Sequence, residues 1–141
     1  MISLTKIFHF EMAHAIDNFP GVCQYIHGHS YKLHVTFSSK HDIEKYVKSP
    51  GYIVNFEELK EIIKAEIISN FDHKLLLSKN YLKTNPEFSN HGNLIVWDAE
   101  PTLENLLVYI RKKLKNKLPQ GVVLSGLKIF ETDETFAEWK L

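Results

Sequence analysis

Two stretches of alternating residues near the N-terminus constrain the fold more than any other feature of the chain. Residues 3–14 predict a long strand and residues 28–38 predict its partner, because successive side chains of a strand point to opposite faces. One face of the first strand would be apolar up to its last position: Phe8, Phe10, Met12 and His14. An apolar stripe that ends in a histidine is typical of a core-facing strand whose last inward position serves chemistry.

A heptapeptide at the start of the second stretch predicts a metal site. Residues 23–29 read Cys-Gln-Tyr-Ile-His-Gly-His and contain the only cysteine. If the strand begins at His27, then His27 and His29 share a face, and His14 is the third candidate ligand. Zinc suits this set, because neutral imidazole nitrogens bind it at about 2.0–2.1 Å. Three histidines leave a fourth position open for water or substrate, which is the pattern of catalytic sites.

The local pattern by itself leaves other interpretations open. A chain of this length with eight histidines contains some close pairs by chance, and a single His-x-His is equally compatible with an ordinary surface. Cys23 could be a structural zinc ligand that closes the fourth position, or a buried thiol without chemistry.

Composition predicts a single soluble domain over residues 1–141. The hydrophobic fraction of 44% can fill a core, and one cysteine cannot form an internal disulfide, which favours a reducing compartment. A net charge of zero gives little support for binding to nucleic acid or a membrane surface. Residues 1–6 lack the apolar region of a signal peptide, and no apolar run approaches the roughly 18 residues of a membrane span. We therefore expect a cytoplasmic protein.

The rest of the chain predicts two helices and further strands. Helical spacing indicates an amphipathic helix over 56–70, with Asn55 as its N-cap and Glu58 completing a capping box. Residues 71–100 are expected to be largely irregular. The other predicted elements are an extended piece at 52–54, a short strand at 94–97, a helix starting near 101–102, and strands at 122–131 and 135–140.

This order of elements predicts an α+β domain, with a four-stranded antiparallel sheet and two helices on one face. The other face, carrying either Tyr31, Leu33, Val35 and Phe37 or their opposites, would be bare. A bare face and two open edges favour association, and edge pairing into a closed barrel would remove both.

Six motifs, in order along nearly the whole chain, resemble one family. They are Phe10-Glu11-Met12-Ala13-His14; Cys23-x-x-x-His27-Gly28-His29-Ser30-Tyr31; Gly51-Tyr52-Ile53-Val54-Asn55-Phe56-x-x-Leu59-Lys60; Phe71-Asp72-His73-x-x-Leu76; Pro101-Thr102-x-Glu104-Asn105; and Glu131-Thr132. Together they resemble the 6-pyruvoyl-tetrahydropterin synthase / 6-carboxy-tetrahydropterin synthase family. The ordered set is far more specific than any one motif.

The resemblance implies a tunnelling fold whose subunits pair edge to edge into a trimeric barrel, with two trimers stacked as a hexamer. It also implies that zinc is held by the three histidines, His14, His27 and His29. Cys23 would be the base that abstracts a proton from a pterin triphosphate substrate.

The resemblance assigns further residues whose local patterns alone are more typical of structural roles. Asp72 and His73 would support proton transfer, although they follow a predicted helix end and neighbours in sequence seldom face each other. Glu131 would anchor the pterin. Thr102 and Glu104 would line or support the pterin pocket, although a carboxylate in the first turn of a helix is favoured in any case.

The three residues between Cys23 and His27 resemble the bacterial queuosine-pathway branch, since the biopterin-forming branch usually has a longer gap. We therefore favour 6-carboxy-tetrahydropterin synthase, which converts 7,8-dihydroneopterin triphosphate to 6-carboxy-tetrahydropterin and releases acetaldehyde and triphosphate. The alternatives are 6-pyruvoyl-tetrahydropterin synthase and a non-catalytic zinc-binding module. Two departures stand out: Asn55 where the family commonly has Asp, and a long 77–100 stretch, with His91 and Trp97, that could reshape the substrate entrance.

Overall fold

The computed structural model describes all 141 residues and contains one six-stranded sheet. The strands are β1 (Ser3–His14), β2 (His27–Ser39), β3 (Lys74–Ser78), β4 (Leu94–Trp97), β5 (Val122–Phe130) and β6 (Phe136–Lys140). Their order across the sheet is β4-β3-β1-β2-β5-β6. Strands β1 and β2 pair antiparallel along their whole length, so that His14 lies opposite His27.

The four predicted strands and the short strand at 94–97 are confirmed, but the expected strand count and sheet type were wrong. Strand β3 lies in the stretch predicted to be irregular, and it pairs in parallel with both β1 and β4. Its centre, residues 75–77, is three buried leucines, so no alternation marks it as a strand. The extended piece predicted at 52–54 does not join the sheet.

Both predicted helices are present. Helix α1 (Phe56–Ile63) begins after Asn55, whose side chain accepts a hydrogen bond from the backbone N–H of Glu57 at 2.9 Å. It continues through a π-helical segment (Lys64–Ile68) and a last turn, α2 (Ser69–Phe71). The remaining helices are α3 (Lys79–Thr84), α4 (Leu103–Leu114) and two 3-10 turns, Val22–Gln24 and Pro86–Phe88. No helix is long and apolar enough to cross a membrane.

The main core lies between one face of the sheet and helices α1 and α4. Sequence analysis left open which face of β2 the helices cover. The structure buries the face that carries Tyr31, Leu33, Val35 and Phe37. Phe10 stacks on Tyr31 with ring centroids 4.9 Å apart. His14 and His29 alternate in phase with these residues, so they lie at one end of the helix-covered face.

A second, smaller cluster covers the opposite face of the sheet only near β3. It consists of Ala15, Leu75, Leu77 and Tyr81, with Leu82 and Phe88 packed against it. The segment between β3 and β4 supplies the last three of these residues and packs them against β3. The opposite face of β1 and β6 keeps exposed side chains, including Ile7 and Phe136.

Candidate metal centre

The structure brings the three predicted histidines together where β1 ends and β2 begins. Their candidate ligand atoms all lie within 4.8 Å of one another. His14 Nε2 lies 3.0 Å from His27 Nε2. The antiparallel register explains this convergence, because His14 pairs with His27 while Met12 pairs with His29.

Backbone carbonyls orient two of the rings. His14 Nδ1 lies 2.9 Å from the Pro101 carbonyl oxygen, and His27 Nδ1 lies 2.7 Å from the Tyr25 carbonyl oxygen. A carbonyl only accepts, so both Nδ1 atoms carry the proton in the neutral rings, and the Nε2 lone pairs face each other. Two lone pairs 3.0 Å apart repel unless a cation lies between them. This donor set, with its carbonyl partners, therefore fits a metal ion.

His29 completes the same arrangement from β2. Its Nε2 is buried without a hydrogen-bond partner. Burial lowers the pKa of His29, and the neighbouring His14 and His27 lower it further against the opposing effect of Glu131. A neutral ring is the form of histidine that binds metal.

Glu131 reaches the histidines from the end of β5. Its Oε1 lies 3.3 Å from His14 Nε2 and 3.3 Å from His29 Nε2. The close contact with the His14 side chain, and then the electrostatic effect of the three histidines, hold the pKa of Glu131 below its usual range. Sequence analysis placed Glu131 at the end of the strand predicted at 122–131, but the local pattern did not indicate this approach to the metal centre.

Cys23 lies outside the three-histidine group. It sits in the 3-10 turn Val22–Gln24, half-buried, and its carbonyl accepts a hydrogen bond from the Ile16 N–H at 2.9 Å. The group of converging ligand atoms therefore contains imidazoles and no sulfur.

Asp72 and His73 do face each other. Asp72 Oδ1 lies 3.1 Å from His73 Nδ1 and accepts a hydrogen bond from the Glu11 N–H at 2.9 Å. His73 has φ of 60°, a left-handed conformation outside regular structure, which is why these sequence neighbours meet. The Glu11 N–H, and then His73, hold the pKa of Asp72 below its usual range.

This pair lies on the other side of the sheet from the histidine rings. His73 lines a cleft of about 460 Å³ with Glu11, Ser30 and His91. Glu11 and Ser30 share a side-chain hydrogen bond of 2.7 Å, and by strand alternation they point away from the face that carries His29. His29 borders the same cleft, but the converging ligand atoms of the metal centre do not include those of Asp72 or His73.

The Thr102–Glu104 segment adjoins the centre through its backbone. The Thr102 hydroxyl caps α4 by accepting from the Asn105 N–H at 3.3 Å, and Glu104 is exposed in the first turn. Its neighbour Pro101 supplies the carbonyl that holds His14. Sequence analysis missed the carbonyls of Pro101 and Tyr25, because a backbone acceptor leaves no signal in residue type.

Fold and site together define a tunnelling-fold domain of the α+β class with a three-histidine centre, as expected from the motifs. Residues 3–140 match the family described as 6-pyruvoyl tetrahydropterin synthase. The chain belongs to this family.

Named relatives cover nearly the whole chain. The 6-carboxy-5,6,7,8-tetrahydropterin synthase of Rickettsia bellii is 30% identical over 142 residues, spanning 98% of this chain and 99% of its own. The protein of the same name in Haemophilus influenzae is 30% identical over 148 residues, spanning 99% of both. The solved Caenorhabditis elegans 6-pyruvoyl tetrahydropterin synthase has a TM-score of 0.67 at 19% identity, covering 99% of this chain and 94% of that one, which shows the shared fold.

Proposed function

We propose that this chain is a zinc-dependent 6-carboxy-5,6,7,8-tetrahydropterin synthase of queuosine (7-deazaguanine) biosynthesis. It would convert 7,8-dihydroneopterin triphosphate and one water molecule to 6-carboxy-tetrahydropterin, acetaldehyde and triphosphate. The observation that carries the proposal is the convergence of three imidazoles with two Nδ1 atoms held by carbonyls. The names of the full-length relatives support the choice of branch.

The histidines would hold zinc, which supplies Lewis-acid polarisation of the substrate oxygens when bound. Cys23, as thiolate, would remove the proton that this polarisation acidifies. Its position supports the assignment, since the turn Val22–Gln24 directly precedes the strand that carries His27 and His29. A thiol outside the ligand set stays free for proton transfer, which argues against a structural zinc site closed by sulfur.

Asp72 and His73 would complete proton transfer from a neighbouring subunit. Their side chains are not among the converging ligand atoms, and they share a cleft with Glu11 and Ser30, whose side chains point to the other face of the sheet, which supports a site shared between two chains. The open edges β4 and β6 and the exposed Phe136 support the trimeric barrel and stacked hexamer expected from the family.

Glu131 would anchor the pterin, with Thr102 and Glu104 supporting the pocket. A pterin presents adjacent N–H donors on its pyrimidine edge, and a carboxylate accepts two at once. Glu131→Gln replaces an acceptor with a donor, and unpaired buried polar groups cost about 1–3 kcal/mol. The value of kcat/KM should fall roughly 10-fold to more than 100-fold. An unaltered kcat/KM would mean that another residue anchors the pterin, and Glu104 is the next candidate.

The deciding experiment is product analysis with 7,8-dihydroneopterin triphosphate and the zinc-loaded protein. Stoichiometric release of acetaldehyde with 6-carboxy-tetrahydropterin supports the proposal. Triphosphate release without acetaldehyde would assign the 6-pyruvoyl-tetrahydropterin synthase reaction instead. Absence of turnover with full zinc occupancy would favour a non-catalytic zinc-binding module.

A further inference from the structure

We infer that Glu131 is a displaceable fourth metal ligand, which closes the three-histidine centre in the ligand-free protein and leaves when a pterin engages the same carboxylate. The ligand part of this inference rests on the geometry of the site. The displacement part rests on the proposed pterin-binding role of Glu131.

The spacing of the polar atoms matches a tetrahedral site. With metal–ligand distances of about 2.0–2.1 Å, two ligand atoms of a regular tetrahedron lie about 3.3–3.4 Å apart. Glu131 Oε1 is 3.3 Å from His14 Nε2 and 3.3 Å from His29 Nε2, and His14 Nε2 is 3.0 Å from His27 Nε2. Three edges of the tetrahedron are therefore already close to the required length.

The protonation pattern makes this an arrangement for a cation rather than a set of hydrogen bonds. The Nε2 atoms of His14 and His27 have their lone pairs directed inward, because both Nδ1 atoms face carbonyl oxygens. His29 Nε2 is buried without a hydrogen-bond partner. Two nitrogen lone pairs, the unpartnered Nε2 of His29 and one carboxylate oxygen therefore converge, and a divalent ion satisfies all four.

The carboxylate cannot serve both partners fully. A bidentate pterin contact uses both oxygens of Glu131, whereas Oε1 faces the histidines in the free protein. Glu131 follows β5 at the start of a short turn, where its N–H donates to the Thr135 carbonyl at 3.0 Å, so a rotation of the side chain suffices to exchange partners. Pterin binding would thereby open the fourth position only when substrate is present.

The test uses the full-length protein loaded with Co²⁺, whose visible absorption reports ligand number and type. Wild type should show four-coordinate bands without any pterin, and Glu131→Gln should change those bands and weaken metal binding, measured against a competing chelator, by at least about tenfold. Glu134→Gln is the matched control, because Glu134 is an exposed carboxylate of the same turn. It should leave both readings at the wild-type value.

Neopterin added to the Co²⁺ protein tests displacement. The wild-type bands should shift towards a state without the carboxylate ligand, and the Glu131→Gln bands should move much less. Wild-type bands and affinity in Glu131→Gln would overturn the ligand assignment, whatever the enzymatic activity. Wild-type bands that stay constant at saturating neopterin would overturn the displacement. Both readings are taken without turnover, so failure of the proposed reaction is scored separately by product analysis.

Discussion

Replacing His29 with alanine should have two separable effects. It should change the stability of the metal-free protein little, and it should weaken the binding of zinc. Its side chain has an exposed fraction of 16%, and its Nε2 is buried without a hydrogen-bond partner. In the metal-free protein, His29→Ala relieves an unpaired buried polar group worth about 1–3 kcal/mol. The packing lost with the ring is of similar size, about 1–2 kcal/mol. The free energy of unfolding of the metal-free variant should therefore lie within about 1 kcal/mol of the wild-type value.

With zinc the two proteins should diverge. Zinc at 100 times its Kd stabilises the wild-type fold by about 2.7 kcal/mol. For a chain of 141 residues, at roughly 3 °C per kcal/mol, this raises Tm by about 8 °C. His29→Ala leaves two imidazoles and the Glu131 carboxylate, a weaker ligand set, so at the same zinc concentration its rise in Tm should be much smaller and atomic absorption should find less zinc.

The assay is thermal unfolding at one fixed protomer concentration, with and without zinc. The matched control is His34→Ala, since His34 is the other histidine with a buried, unpartnered Nε2 and lies on the opposite sheet face. It should keep the full zinc-induced rise. Full zinc occupancy in His29→Ala, or an equal rise in Tm, would refute the ligand assignment. A large loss of stability in its metal-free form would refute the expected balance between the unpaired nitrogen and the lost packing.

Three further predictions concern the catalytic groups and the assembly. Cys23→Ala should keep zinc and fold but lose turnover by roughly 10²–10⁴-fold in steady-state kinetics; a near-normal rate, or loss of metal, would rule out its role as base. The free energy of unfolding of Asp72→Asn should be less than about 1 kcal/mol below that of wild type at neutral pH, because the carboxylate is partly exposed. Since the pKa of Asp72 is lowered in the fold, the stability it contributes is present above the unfolded pKa of about 4 and is lost as pH falls through the folded pKa. Denaturant titrations that show the same difference at pH 7 and pH 2.5 would contradict this. Sedimentation should find a trimer or hexamer, and a stable, active monomer at micromolar concentration would exclude the shared site.

The sequence alone was sufficient where a local period carries the information. Alternation with a period of two placed His14 in phase with the core residues of β1, and placed His27 and His29 together on β2. Helical spacing and the Asn55 cap located α1 for the same reason. These features depend on neighbours a few residues away, which is why they could be predicted.

Strand β3 could not be predicted in this way. Its leucines are buried on both faces, so the alternation that reveals a half-buried strand is absent. Its position depends on parallel pairing with β1 and β4, which forms only when the chain returns from α1 and again from the 79–93 segment. The sheet was consequently expected to have four strands rather than six.

The finer structure of the metal centre was decided only by the tertiary fold. The Pro101 carbonyl that orients His14 lies 87 residues away in sequence, and no residue type predicts a backbone acceptor. Glu131 comes within 3.3 Å of two histidines because β5 pairs with β2 and ends beside the start of that strand. Local sequence determined which side chains share a face, because a strand's period is intrinsic to its backbone. Which distant groups meet them depends on strand pairing and helix packing, whose free energy arises from contacts between residues far apart in the chain.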